Sequence, residues 1–66
     1  MKSNNIKMYY RLNLTKDTGP VRHLQIPARS LREAMVALYS VMYLGIYSRG
    51  YVEFTTDNDT GWNRVS

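Results

Sequence analysis

From Ile6 to Leu14 the chain reads IKMYYRLNL, and Ile6, Met8, Tyr10, Leu12 and Leu14 alternate with Lys7, Tyr9, Arg11 and Asn13. Successive side chains of a strand point to opposite faces, so a period of two predicts a half-buried strand with Lys7, Tyr9, Arg11 and Asn13 turned to water. The polar run Thr15 to Pro20 then has turn chemistry: Asp17 can bond its own backbone, Gly19 can take positive φ, and Pro20 lacks a donor. Val21 to Ile26 is predicted as a second strand, with Leu24 and Ile26 inward and His23 and Gln25 outward. Pro27 ends it, because proline cannot donate to a ladder. The two strands are expected to pair as an antiparallel hairpin.

The period then changes. Ser30-Leu31-Arg32-Glu33 fits the capping box, in which the Ser30 hydroxyl accepts the Glu33 N–H and the Glu33 carboxylate reaches back to the N–H of Ser30. Glu33 also suits the positive end of the helix dipole. Leu31, Ala34, Met35, Leu38, Val41 and Met42 follow at helical spacing as one core-facing stripe. Gly45 is the expected stop, giving a helix from about Leu31 to Leu44. Ile46 to Gly50 reads as a connection. Tyr51 to Thr56 reads as a third strand with Val52 and Phe54 inward and Tyr51, Glu53 and Thr55 outward. Asp57 to Gly61 is a tight turn, and Trp62 to Val65 a candidate short fourth strand. Strands that outnumber a single helix predict an α+β fold: one three- or four-stranded antiparallel sheet with the helix on one face, in a single small domain over residues 1–66.

Composition narrows what such a domain can do. A chain of 66 residues buries little surface, and with no cysteine it has neither a disulfide nor a thiolate metal site. The longest mostly apolar stretch, Ala34 to Ile46, is 13 residues, short of the roughly 20 that span a bilayer. The first residues lack the apolar run of a secretion signal. A cytoplasmic protein with no membrane contact is the expectation. Catalytic chemistry is sparse. His23 is the one histidine, placed on a strand surface without an evident nucleophile or orienting partner. Asp57-Asn58-Asp59 resembles the start of a calcium loop but lacks the later Gly and Glu ligand positions. Four scattered glycines form no phosphate loop. The expectation is therefore a binding protein and not an enzyme, with no cofactor and no metal.

Nine Lys and Arg against five Asp and Glu give a net charge of +4, and two surfaces could use it. One is the sheet face away from the helix, with Lys7, Tyr9, Arg11, His23, Gln25 and Tyr51, joined by Trp62 and Arg64 if the last strand has the matching register. Basic residues interleaved with aromatics there could contact phosphates and stack on bases, or could be ordinary solvent-side strand residues. The other is the back of the helix, where Arg32, Val36, Tyr39 and Tyr43 are spaced by four, three and four residues. A small sheet hardly covers both sides of a helix, so this second stripe points to a partner or a second copy, unless the tyrosines fold over the sheet edges. Arg22, Arg29 and Arg32 cluster between the second strand and the first helical turn, suited to phosphate or to an acidic protein surface.

The segment from Leu24 to Leu38, with Ile26 before Ala28, Ser30, Leu31 and Ala34, resembles the strand-to-helix junction of small phage-encoded inhibitors, among them inhibitors of bacterial RNA polymerase and type I-F anti-CRISPR proteins. That resemblance implies one helix against an antiparallel sheet. It also implies a non-enzymatic phage protein that blocks or redirects a host nucleic-acid-handling complex by occupying its surface. The basic balance and the short C-terminal strand depart from the acidic polymerase inhibitors. On this reading Lys7, Tyr9, Arg11, Arg32, Tyr39, Tyr43 and Tyr51 bind the partner, a host protein or protein–nucleic-acid complex. The alternative is a module that binds DNA or RNA directly through the sheet face. A homo-oligomer joined through Val36, Tyr39 and Tyr43 is a third expectation.

Overall fold

The structure, a computed structural model, describes residues 7–65. The elements run β1 (Met8–Thr15), β2 (Val21–Ile26), α1 (Leu31–Tyr43), β3 (Arg49–Thr56) and β4 (Asn63–Arg64). The four strands form one sheet in the order β2-β1-β3-β4, every pair antiparallel. The expected hairpin is present, with Leu12 opposite Leu24 and Thr15 opposite Val21. Because β2 and β3 both run against β1, they are parallel to each other and flank it. The connection between them must cross β1, and it does so as α1, which packs over β1 and β3.

This order decides what is buried. The central strand supplies Tyr10, Leu12 and Leu14 to the core, joined by Val52 from β3 and by Ala34 and Leu38 from α1. Phe54, Met35, Val41 and Met42 pack against them, half-buried. Gly50 of β3 lies directly under the helix: a Cβ there would come within 2.9 Å of Leu38 Cδ1 and Met42 Sδ and 3.1 Å of Leu14 Cδ2. The absence of a side chain at this one position lets the helix settle onto the sheet.

Three expected core residues lie outside the core: Met8 is 43% exposed, Leu24 49% and Leu31 42%. Met8 is the first residue of β1, at the end of the sheet. Leu24 and Leu31 share another cause: β2 is an edge strand, and the helix is centred over its neighbours, so the inner face of β2 is only partly covered. Ile6 lies outside the described residues.

Local signals settle the element ends. The Ser30 hydroxyl accepts the Glu33 N–H at 3.2 Å, as the capping box requires. The Glu33 carboxylate reaches one residue further back than expected and accepts the N–H of Arg29 at 3.0 Å. At the other end Gly45 takes φ 75 and donates its N–H to the Met42 carbonyl at 3.0 Å. In the β1–β2 turn the left-handed residue is Asp17, φ 54, and not Gly19. Gly19 instead donates its N–H to the Lys16 carbonyl at 2.9 Å. The third strand begins two residues earlier than its pattern suggested, at Arg49, because Thr15 also belongs to β1 and stands opposite it. The fourth strand is shorter than expected, Asn63–Arg64. Among the described residues no helix is long and apolar enough to cross a membrane.

Candidate binding surfaces

Residues directly opposite each other in an antiparallel ladder share a face. The register therefore builds the open side of the sheet row by row: Tyr9 with Thr55, then Gln25, Arg11, Glu53 and Arg64, then His23, Asn13 and Tyr51, then Val21, Thr15 and Arg49. The Arg11 Nε donates to Glu53 Oε1 at 2.8 Å, and Nη2 reaches the same oxygen at 2.8 Å. The Arg11 Cζ lies over the Trp62 ring, 4.3 Å from its centroid, and the Arg64 Cζ over the Tyr51 ring, 4.2 Å from its centroid. The Tyr9 hydroxyl donates to Asp57 Oδ1 at 2.9 Å. This bond, and the negative charge behind it, holds the Tyr9 phenol above its ordinary pKa of 10.0. His23 is exposed, as expected, and its Nδ1 meets the Asn13 side-chain oxygen.

Asn13 itself departs from the expectation. It faces away from the helix, as alternation requires, yet it is fully buried. His23 and Tyr51 stand on either side of it in the central row, so the open face has an interior of its own. The Asn13 Nδ2 has no hydrogen-bond partner among the described residues.

The back of α1 is different. Tyr39 is 64% exposed, Tyr43 91% and Val36 58%, and Arg32 is exposed with them. Leu44 and Ile46, at and beyond the helix end, are also exposed. The tyrosines do not fold over the sheet edges. Their rings meet water, which is costly for large aromatic surface and is the pattern of a contact patch.

Charge is divided as unevenly. Glu53 is held by Arg11, Asp57 by Tyr9, and Glu33 by the helix cap. Asp59 accepts from the Thr56 N–H at 3.1 Å and from Asn63 Nδ2 at 3.2 Å. Asp59 thus ties its carboxylate into its own loop, while Asp57 is tied to β1. Among the described residues no cluster of three metal-ligating side chains exists. Lys7, Lys16, Arg22, Arg29, Arg32 and Arg49 are exposed and make no ion pair among the described residues. An open groove of about 520 Å³ at one end of the sheet is lined by Ser48, Arg49, Tyr51 and Arg64, among others.

The seven residues singled out from sequence divide into two groups. Tyr9, Arg11 and Tyr51 share the open sheet face, and Lys7 is exposed one residue before β1. Arg32, Tyr39 and Tyr43 lie on the far side of the helix, with the sheet between the two groups. Alternation could not reveal that Trp62 and Glu53 converge on Arg11, since that depends on which strands are neighbours. Ile46 carried no periodic signal because it lies past the helix stop, and Leu44, the C-cap, falls outside the four-three-four spacing of the helix back. Comparison with protein families, curated proteins and solved structures finds no match for this chain.

Proposed function

We propose that the protein is a non-enzymatic binding module that docks on a protein surface through the outer face of α1, with Tyr39 and Tyr43 as anchors and Arg32 at the rim. The carrying observation is the exposure of both rings, 64% and 91%, on a chain with little apolar surface to spare. The division of charge supports a partner that is apolar at the centre of the contact and acidic around it: the carboxylates are largely engaged within the chain, and the cations face outward. The mode of action in this reading is that of the small phage inhibitors which the strand-to-helix junction resembles: occupation of the surface of a host nucleic-acid-handling complex.

The second reading, direct binding of DNA or RNA, draws on the groove with Arg49, Arg64 and Tyr51. It is weakened by the arginines already stacked on Tyr51 and Trp62, since a base and a guanidinium compete for the same ring face.

Affinity capture from a bacterial lysate, with and without nuclease, separates the two. The expected result is a protein captured regardless of nuclease and lost with the Tyr39→Ala/Tyr43→Ala variant, whose circular dichroism is unchanged. Capture that disappears with nuclease, or binding to purified nucleic acid that weakens steeply with salt, transfers the function to the sheet face. Capture unchanged by the double variant removes the helix face.

A further inference from the structure

The sheet has two free edges of unequal character. The β4 edge is two residues long, Asn63–Arg64. The β2 edge has six residues, Val21–Ile26, with Pro20 and Pro27 just outside it, so neither proline interrupts its row of backbone donors and acceptors. Among the described residues only β1 pairs with β2, and an unblocked edge is a template for another strand. On the helix side of this strand Leu24 stands opposite buried Leu12, and Arg22 opposite buried Leu14, but neither Leu24 nor Arg22 is covered.

We infer that β2 pairs with the β2 of a second copy, antiparallel about a two-fold axis through Leu24, to give one continuous eight-stranded sheet with both helices on the same side. A two-fold axis perpendicular to the sheet allows only registers centred on one residue. Centred on His23, the pairing stacks two imidazoles and sets Arg22 against Leu24. Centred on Gln25, it pairs only residues 24–26 of β2 with their counterparts, against residues 22–26 when centred on Leu24. Centred on Leu24, it pairs Leu24 with itself, His23 with Gln25, and Arg22 with Ile26.

The last of these pairs carries the inference. Ile26 lines a groove of about 240 Å³ together with Pro27, Ala28, Ala37 and Glu33. The groove is apolar apart from one carboxylate, and Glu33 Oε1 is taken by the Arg29 N–H, leaving its second oxygen for a cation. An arginine, with its apolar stem and cationic head, fits such a groove. The Leu24 register brings the Arg22 of each copy to this groove on the other, so charge and shape match twice by symmetry. This surface is separate from the outer face of α1 and does not depend on its role.

Sedimentation equilibrium of the full chain at high and low concentration tests the inference. The wild-type chain is expected to reach a dimer at high concentration. Arg22→Glu and Leu24→Asp are each expected to raise the dimer dissociation constant about tenfold or more, while Tyr39→Ala/Tyr43→Ala leaves it unchanged. Arg22→Gln serves the same purpose if charge reversal unfolds the chain. A wild-type chain that stays monomeric at the highest attainable concentration overturns the inference. So does a dimer indifferent to the β2 variants, or one abolished by the tyrosine variant instead.

Discussion

The open face of the sheet and the outer face of the helix hold similar side chains under opposite conditions. On the sheet, tyrosine, tryptophan and arginine satisfy one another: Arg11 is clamped between Glu53 and Trp62, Arg64 lies on Tyr51, and Tyr9 is tied to Asp57. On the helix, Tyr39, Tyr43 and Arg32 have no such company among the described residues. Counting aromatic and basic residues therefore overstates the sheet as a binding surface and understates the helix. The difference arises from geometry. Four strands place side chains from four segments of the chain side by side, whereas the outside of a lone helix has only its own neighbours three and four residues away.

Substitutions can stress this comparison. Gly50→Val should have the largest effect, because it drives a branched side chain into Leu38, Met42 and Leu14 and lifts the helix from the sheet. A loss of about 1–3 kcal/mol in denaturant unfolding is expected, and an unchanged midpoint would mean that the helix does not sit as closely as described. Arg11→Ala should come next, at about 1–2 kcal/mol, since it removes an ion pair and a ring contact together. Tyr43→Ala, by contrast, should stay within about 0.5 kcal/mol. If Tyr43→Ala costs as much as Arg11→Ala, the two faces are not the contrasting surfaces argued above.

The smallest expected effect is on titration. The raised Tyr9 pKa means that the phenol donates to Asp57 with full effect below the ordinary value of 10.0, and that the contribution is lost as pH climbs through the higher folded value. Asp57→Asn should bring the Tyr9 titration, followed by ultraviolet absorbance, back toward the ordinary value. A titration indifferent to that change would remove the bond from the account.

Much of the fold was legible in local chemistry. Ser30 and Gly45 bound the helix, and the alternation from Met8 to Leu14 assigned each residue of β1 to its face. What alternation could not supply was lateral order. A period of two tells which side of a strand is apolar but not whether the strand is central or at an edge. Hence Leu12 and Leu24, equivalent in pattern and directly opposite in the sheet, differ completely in burial. The same blindness hid Asn13, whose burial comes from His23 and Tyr51 on strands to either side. The helix surface was legible for the converse reason: spacing within one segment decided it. The seven candidate residues were read as two surfaces offered to one partner, and those surfaces lie on opposite sides of the molecule.

The position of β1 between β2 and β3 also has a consequence for the order of assembly. Its first neighbour follows a short turn away, but its second begins only at Arg49. As the chain leaves the ribosome, the most apolar strand must wait with one flank unzipped until the last third has been synthesised. That interval, more than any weakness of the finished domain, is when a crowded cell would find it vulnerable to misassembly.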